Sequence, residues 1–275
     1  MNLSVLAIDI DGTLIDSRKE ISPFTRSEIH RVVREYGAHV VLITARSPQS
    51  TSIIEEQLGV SASYATFGGS LVWSREPDGS LTPVSEVPLL SEDVTSILKV
   101  AASHDVHTGL YSRDEWFISA LDYWGMREAR NTAVWPRVVD IVDTARDAGP
   151  FFKIMFRGEQ EPLAALAAAL TDSPTTTYAH HLKHVLEIVS RDAVKLPALQ
   201  ALAAHRGFSL ADVIAFGDSE SDLGMLENAG VGVLMGNASR TLTVSDRVQR
   251  ALSNDEDGIG MALRKHFPTA EPFRP

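Results

Sequence analysis

The chain has 275 residues and contains no cysteine. Disulfides, thiolate zinc sites, iron–sulfur clusters and cysteine nucleophiles are therefore excluded, and the absence is compatible with a reducing compartment. Basic residues are also in the minority, because 25 lysines and arginines stand against 36 aspartates and glutamates, a formal net charge of −11. So acidic a chain is a poor candidate for binding nucleic acid, which requires basic surface against the phosphates. The surplus of carboxylates does leave room for a hard divalent cation such as Mg²⁺.

Long apolar runs are missing as well. No stretch approaches the roughly 18 apolar residues that span a bilayer. The first residues, MNLSVLAIDIDG, lack the basic start of a signal peptide and reach an aspartate by position 9. With 44% apolar and 22% charged residues, the composition is that of an ordinary globular protein. We therefore expect a soluble cytoplasmic protein of one or two domains, without a membrane partner.

What the sequence does contain is an alternation of short apolar runs and helical patterns. Residues 3–8 and 40–43 are apolar runs typical of buried parallel strands. Ser22, followed by proline, predicts a helix start, and Gly37 predicts the end of that helix. Residues 47–58 predict a second helix, which Gly59 closes.

The alternation resumes late in the chain. It predicts helices over 194–205 and 223–228 and strands over 213–216 and 230–235. Repeated β-α-β-α units favour an α/β fold with a Rossmann-like parallel sheet that helices cover on both faces. Ligands of such sheets bind beyond the carboxyl ends of the strands, so Asp9, Thr44 and Asp218, each directly after a predicted strand, are expected in one crevice.

The middle of the chain has a different pattern. A hairpin is predicted over 71–87 with its turn at Pro77-Asp78-Gly79. Beyond it, helical patterns and strand-like runs alternate without the βα repeat, which indicates an α+β insertion over 84–186 within a core of 1–83 and 187–275. The predicted helices cover 91–103, 122–132 and 162–170, and the predicted strands cover 116–118, 151–156 and 185–189.

The sharpest chemical signal is Asp9-Ile10-Asp11-Gly12-Thr13-Leu14 at the end of the first strand. Two carboxylates about 4 Å apart repel each other by about 4 kcal/mol at an effective dielectric of about 20. Burial of both needs a compensating proton or cation, and Mg²⁺ would remove the repulsion. The alternative without a chemical role is a capped turn with two solvated aspartates.

This motif resembles the first motif, DxDGT[LV], of the haloacid dehalogenase-like phosphohydrolases. The resemblance implies that Asp9 is a nucleophile that becomes an aspartyl-phosphate and that Asp11 acts first as general acid and then as general base. The backbone N–H groups around Ile10 could cradle phosphate oxygens.

The other motifs of the family follow in the expected order. Thr44 resembles the second motif, whose hydroxyl donates to a phosphoryl oxygen, and Ala45 beside it stands where the subgroup usually has glycine. Lys195 resembles the third motif, a lysine that neutralises the phosphoryl group and the nucleophile. Asp218 and Asp222 resemble the fourth.

The resemblance implies roles for this last pair and exposes two departures. Asp218 would complete an Mg²⁺ site with Asp9 and the carbonyl of Asp11, and Asp222 would hold the waters of the metal or orient the lysine. Ser221 replaces the usual asparagine and could still donate to phosphate. Gly68 stands where Cof-like members have asparagine.

The resemblance is to the Cof-like branch, which carries a large α+β cap between the second and third motifs. It implies an Mg²⁺-dependent phosphatase whose cap selects a small phosphorylated metabolite, expected to be a sugar phosphate, in a monomer or small homo-oligomer. A phosphomutase of the same architecture, a signalling receiver module and a weakened, non-catalytic metabolite-binding protein are the alternatives. The receiver is disfavoured because its phosphoacceptor lies on a later strand.

Three further features have no assigned role. The cluster His180, His181, Lys183 and His184 could be a surface feature, a contact to an anionic substrate or a metal site. Asn237 is expected to organise a loop more than to act in catalysis. The tryptophans of the insertion are expected in its core more than on a sugar-stacking platform; they are Trp116, Trp124 and Trp135.

Overall fold

The computed structural model describes residues 3–170, 173–182 and 184–268, and for residues 178–182 only the backbone is described. The strands in this part of the chain are β1 (Val5–Ile8), β2 (His39–Ile43), β3 (Ala62–Thr66), β4 (Leu71–Arg75), β5 (Leu81–Glu86), β6 (His107–Ser112), β7 (Trp116–Ile118), β8 (Arg137–Val138), β9 (Phe151–Arg157), β10 (Thr176–Leu182), β11 (Val185–Ser190), β12 (Val213–Gly217), β13 (Val231–Leu234) and β14 (Gln249–Arg250).

The α-helices of the described residues follow the same numbering. They are α1 (Pro23–Tyr36), α2 (Pro48–Leu58), α3 (Ser91–Ala101), α4 (Tyr123–Thr132), α5 (Ile141–Asp147), α6 (Gln160–Ala169), α7 (Lys195–Arg206), α8 (Leu223–Asn228) and α9 (Gly258–His266). Short 3-10 helices lie at Phe67–Gly69, Leu210–Asp212, Glu220–Asp222 and Asn254–Glu256. None of the described helices is long and apolar enough to cross a membrane.

The first sheet has eight strands in the order β14-β13-β12-β1-β2-β3-β4-β5. Strand β1 lies at its centre and pairs in parallel with β12 and β2, so that Ala7 is opposite both Ala215 and Val41. Only β4 runs against the other strands of this sheet, because it pairs antiparallel with β3 and with β5, and its pairing with β5 is the predicted hairpin. The predicted α/β fold with a parallel sheet is therefore confirmed.

Helices bury both faces of this sheet, because successive strand side chains point to opposite sides. On one face Leu6 and Ile8 of β1 pack with α1, α2 and α9. On the other, Val5 and Ala7 pack with α7 and α8. Strands buried on both faces read as continuous apolar runs, which is the pattern that the sequence shows.

Local capping fixes the helices of this layer where the sequence predicts them. The hydroxyl of Ser22 accepts the N–H of Thr25 at the start of α1, and Gly37 ends that helix at φ 65°. Ser47 and Gly59 do the same for α2, with φ 74° at the glycine. A side-chain cap and a left-handed glycine satisfy backbone groups that a helix end leaves open.

The second sheet has six strands in the order β10-β11-β9-β6-β7-β8 and is mostly antiparallel. Helices α3, α5 and α6 pack on one face. The other face, which we call the inner face, carries an apolar cluster that includes Phe67 from the first sheet's layer, so this face lies against the core. Strands β6, β8 and β10 and helix α5 are absent from the sequence-based expectation.

The two sheets meet close to the predicted limits of the insertion. Strand β5 belongs to the eight-stranded sheet as far as Glu86, and β11 belongs to the six-stranded sheet as far as Ser190. Each crossing therefore lies a few residues beyond the expected limits of 83 and 186. The division into a core and a cap domain stays a prediction.

Candidate active site

Three parallel strands end at the same edge of the eight-stranded sheet and carry the first candidates. Asp9 follows β1 and donates its N–H to the carbonyl of Phe216 at 3.1 Å, while Thr44 follows β2 and donates its own to Ala65 at 2.8 Å. Asp218 follows β12. Continuous sheet hydrogen bonding thus brings residues that are more than 200 positions apart in the chain to one crevice.

Lys195 holds this crevice together from the first turn of α7. Its Nζ donates to Asp9 Oδ1 at 2.6 Å and to Asp222 Oδ1 at 2.6 Å. The three residues are 4%, 6% and 0% exposed, respectively. Charged groups this deeply buried are stable only when they are paired, so the lysine and the two aspartates form one electrostatic unit.

Asp218 lies beside this unit and adds a third carboxylate, so that carboxylates outnumber the single ammonium. Asp9, Asp218 and Asp222 each offer an oxygen, and these oxygens lie within 4.8 Å of one another. Burial, with a smaller contribution from the charge of Asp222, raises the pKa of Asp9 to about 8 although Lys195 opposes the shift. Burial and the same aspartate raise the pKa of Asp218 to about 6.

The ammonium responds in the opposite way to its surroundings. Burial alone lowers the pKa of Lys195, but the charges of Asp9 and Asp222 outweigh it and raise that pKa above its ordinary value. The lysine is therefore a permanent cation, and it donates to two of the three aspartates. A further positive charge, either a proton or a metal ion, is needed to balance the cluster.

Asp222 is the most constrained member of the cluster. Its Oδ2 accepts the N–H groups of Asp218 and Ser219 at 3.1 and 2.9 Å and the Ser219 hydroxyl at 2.7 Å. A Cβ on Gly217 would lie 2.4 Å from the Asp222 side chain, so this loop conformation requires glycine at position 217. With Oδ1 on Lys195, this carboxylate orients its neighbours, as one of its two predicted roles requires.

Thr13, in the loop after β1, and Asn237, after β13, hold the carboxylate of Asp218. Thr13 Oγ1 donates to its Oδ1 at 3.2 Å, and Asn237 Nδ2 donates to its Oδ2 at 3.3 Å and to the carbonyl of Gly12 at 2.8 Å. Gly12 has φ 80°, and a Cβ there would lie 2.3 Å from Asp218 Oδ2. These contacts tie Asn237 to the Gly12 loop and engage both oxygens of Asp218.

The predicted metal ligands fit a divalent cation only in part. Carboxylate oxygens are the ligands that Mg²⁺ prefers, and those of buried Asp9 and Asp222 and half-buried Asp218 lie together with excess negative charge. The carboxylate of Asp11 does not belong to this group. Its predicted contribution through the backbone carbonyl is a separate matter and stays a prediction.

Asp11 instead forms ion pairs with two cations that the sequence reading did not assign. Arg46 Nε and Nη2 donate to its two oxygens at 2.7 and 2.8 Å, and Lys19 Nζ donates to Oδ1 at 2.9 Å. Burial would raise the pKa of Asp11, but the hydrogen bonds and charge of Arg46 and Lys19 outweigh it and lower that pKa to about 2. The signal for Arg46 was its place directly after the second motif.

The predicted phosphate-binding residues differ in what they present. The buried hydroxyl oxygen of Thr44 accepts the N–H of Arg46 at 3.1 Å, which leaves the hydroxyl proton available to an acceptor. Ile10 is fully buried and can offer only its backbone, and Ala45 likewise has no polar side-chain atom. Ser221 Oγ lies 2.9 Å from Ser219 Oγ on the exposed side of the loop.

A sequence profile described as haloacid dehalogenase-like hydrolase matches residues 6–263. The chain belongs to this family. A protein of Haemophilus influenzae, provisionally named a phosphatase, is 30% identical over 263 residues, with 94% of this chain and 97% of that protein covered.

Two further comparisons agree with that membership. The Bacillus subtilis 5-amino-6-(5-phospho-D-ribitylamino)uracil phosphatase YitU is 27% identical over 278 residues, with 96% and 97% covered. A solved haloacid dehalogenase-like hydrolase from Bacteroides thetaiotaomicron superposes with a TM-score of 0.86 at 26% identity and covers 96% of this chain and 100% of its own. As a haloacid dehalogenase-like hydrolase with phosphatase relatives, the protein is a phosphatase enzyme.

The residues of the insertion that have no assigned role differ in their burial and contacts. Trp116 is buried and stacks on Tyr111, with ring centroids 5.6 Å apart, whereas Trp135 is 68% exposed and lies outside the core expected for it. Half-buried Trp124 contacts the ring of His184, whose Nδ1 lies 3.0 Å from the carbonyl of Gly158. The side chains of residues 180, 181 and 183 lie outside the described part, so the predictions for them stay untested.

Proposed function

We propose that this phosphatase hydrolyses the phosphomonoester of a small polar metabolite, depends on Mg²⁺ and uses Asp9 as its nucleophile. The observation that carries the proposal is the buried cluster in which Lys195 bridges Asp9 and Asp222 at 2.6 Å each. A nucleophile for an anionic phosphoryl group needs positive charge beside it, and a lysine with a raised pKa supplies that charge permanently.

The residues that would hold the ion are Asp9 and Asp218, with the carbonyl of Asp11 as the third protein ligand and Asp222 supporting them. When bound, Mg²⁺ would neutralise the carboxylates and the phosphoryl oxygens, which is the main electrostatic requirement of phosphoryl transfer. The proposed ligand set draws support from the negative charge that the cluster leaves unbalanced.

In the proposed reaction an Asp9 oxygen attacks phosphorus in line with the ester oxygen. The Asp9–phosphorus bond forms as the bond to the leaving oxygen breaks, and a proton from Asp11 completes the released alcohol. Asp11, now a carboxylate, takes a proton from water as that water attacks the aspartyl-phosphate. Inorganic phosphate leaves, and both carboxyl groups return to their starting states.

The general-acid role requires Asp11 to give up its present partners and to take up a proton from solvent before the ester bond breaks. With a pKa near 2 it is a carboxylate while Arg46 and Lys19 hold it. A phosphate dianion beside these cations would offer them a second acceptor and so weaken their hold on Asp11. Thr44 would donate its free hydroxyl proton to a phosphoryl oxygen, and Ser221 and the backbone at Ile10 and Ala45 are the remaining proposed contacts.

The proposed substrate class is a sugar phosphate or a related polyol phosphate. The name of the relative YitU supports the wider class, since its substrate carries a phosphoribityl group. A phosphate-metabolite panel, run with Mg²⁺ and with EDTA, tests the class. Stoichiometric release of inorganic phosphate supports hydrolysis, whereas conversion of one sugar phosphate into another without release would indicate a mutase.

The decisive variant is Asp9→Asn, which removes the nucleophilic oxygen and keeps the shape of the side chain. We expect loss of p-nitrophenyl phosphate turnover with circular dichroism and elution volume unchanged. Asp143→Asn, on an exposed carboxylate of α5, is the matched control and should keep full activity. A fully active Asp9→Asn enzyme would refute the mechanism.

A further inference from the structure

A buried lysine of the six-stranded sheet reaches across to the phosphate-binding loop of the core. Lys153 lies on β9, 4% exposed, and its Nζ donates to the carbonyl of Ala45 at 3.2 Å and to Glu187 Oε1 at 3.0 Å. The same ammonium lies 4.8 Å from the ring centroid of Tyr111 and 5.6 Å from that of Phe67. Nothing in the motif pattern of the sequence pointed to this residue.

The loop that Lys153 contacts has all three of its carbonyls engaged. The carbonyl of Thr44 accepts the N–H of Gly68 at 2.9 Å, and that of Arg46 accepts the N–H of Phe67 at 2.9 Å, both from the core. The carbonyl between them, that of Ala45, accepts from the inserted sheet. The cap segment therefore completes the support of this loop.

The Ala45 carbonyl belongs to the peptide unit whose N–H is that of Arg46. This N–H donates to Thr44 Oγ1 at 3.1 Å. A cationic donor on the oxygen of a peptide polarises its N–H, and hydrogen bonds in such a chain strengthen one another. This series of hydrogen bonds runs from the Lys153 ammonium through one peptide unit to the Thr44 hydroxyl. The proton of that hydroxyl is the one proposed to bind a phosphoryl oxygen.

Phe67, in the turn after β3, packs against the inserted sheet beside Lys153. Phe67 has φ 51°, a strained conformation that bulky side chains rarely adopt. Its ring is fully buried and stacks on the ring of Phe152 of β9, with ring centroids 6.1 Å apart and an angle of 2° between the ring planes. The strained turn thus places an aromatic side chain next to Lys153.

We propose that Lys153 is a positioning residue of the phosphatase reaction, which sets the Thr44 hydroxyl through the Ala45–Arg46 peptide. The proposal rests on the proposed function, because it takes Thr44 as a donor to the phosphoryl group. Lys153 itself touches neither the substrate nor the reacting atoms. Its effect is therefore expected in kcat, with little change in KM for a small ester.

A double-mutant cycle between Lys153→Met and Thr44→Val, with p-nitrophenyl phosphate and saturating Mg²⁺, tests the proposal. Loss of a charged hydrogen bond predicts a fall in kcat of about 10-fold for Lys153→Met. With Thr44→Val at about 30-fold, the double variant should stay near about 30-fold, because the lysine acts only through the hydroxyl. Independent effects would multiply to about 300-fold and overturn the proposal.

Two controls separate positioning from damage to the fold. Lys153→Met removes one cationic partner of the half-buried Glu187 carboxylate, so the paired variant Lys153→Met with Glu187→Gln should lose kcat to the same extent. Recovery of full kcat in that pair would trace the loss to the changed charge of Glu187 and refute the proposal. Lys99→Met, an exposed lysine on α3, should match the wild type.

The Asp9→Asn variant, assayed beside the cycle, keeps the two proposals apart. An active Asp9→Asn enzyme refutes the proposed nucleophile. A multiplicative cycle in an enzyme that does need Asp9 refutes only the role of Lys153. A KM change that accounts for the whole loss would likewise overturn the role of Lys153, because it indicates a direct substrate contact.

Discussion

Raising the pH should strengthen Mg²⁺ binding steeply through the neutral range. Burial raises the pKa of Asp9 to about 8 and that of Asp218 to about 6, so the metal-free cluster holds a proton that the cation must displace. At pH 7, Asp9 is protonated about ten times in eleven and Asp218 about once in eleven, which predicts release of about one proton per ion. The apparent affinity should then rise about ten-fold per pH unit between roughly pH 6 and 8.

The same proton links stability to pH when the metal is absent. A carboxyl whose pKa is raised by folding stabilises the native state while it is protonated. The contribution of Asp9 is therefore complete below about pH 4 and is lost as the pH rises through about 8, with a slope of at most about 1.4 kcal/mol per pH unit. Saturating Mg²⁺ should remove this slope, because the ion takes the place of the proton.

Titration calorimetry at several pH values, in two buffers of different ionisation enthalpy, measures the affinity and the proton count together. Thermal unfolding with EDTA and with Mg²⁺ measures the stability slope. In Asp9→Asn the steep pH dependence should flatten, while the surface variant Asp143→Asn should retain it. An affinity that is constant from pH 6 to 8, with no proton released at pH 7, would refute the charge balance assigned to the cluster.

Three other substitutions test the surrounding geometry. Lys195→Met should destabilise the metal-free protein by about 3–5 kcal/mol, and Mg²⁺ should restore much of the thermal midpoint. Gly12→Ala should weaken Mg²⁺ binding at least about ten-fold, whereas Gly79→Ala, at φ 86° but with open space around it, should cost only stability. Arg46→Met should remove a stabilisation that Asp11 provides at neutral pH and loses as the pH falls from about 4 to 2, so acid unfolding curves of variant and wild type should converge at low pH.

The parts of the fold that sequence could predict are those fixed by neighbours in the chain or by the regular geometry of a parallel sheet. Ser22 and Gly37 delimit α1 because a cap and a left-handed glycine act within a few residues. Asp9 and Asp218 could be placed together because parallel strands deliver their ends to one edge. The candidacy of Lys195 followed from the order of the motifs, and in the structure its ammonium donates to both Asp9 and Asp222.

The parts that sequence could not predict depend on contacts over long distances. Strand β6 was missed because its sequence, HTGLYS, has a glycine in its middle, which weakens the strand pattern. A Cβ on Gly109 would lie 2.8 Å from the indole nitrogen of Trp116, and this close contact is not visible in the sequence. Lys153 meets Ala45 across 108 positions, and no local pattern records that distance. The pairing of Asp11 with Arg46 belongs to the same class.

The charge of the site explains why an acidic chain can accept a phosphate ester. Four carboxylates, those of Asp9, Asp11, Asp218 and Asp222, lie beside three cations, those of Lys195, Arg46 and Lys19. Fully ionised, the group is negative and would repel a phosphate dianion. Since every one of these cations is already bound to a carboxylate, an incoming dianion must compete for it, and only an added divalent ion makes the group positive. The net charge of −11 is thus no obstacle, because the balance that matters is set within one cluster and by one ion.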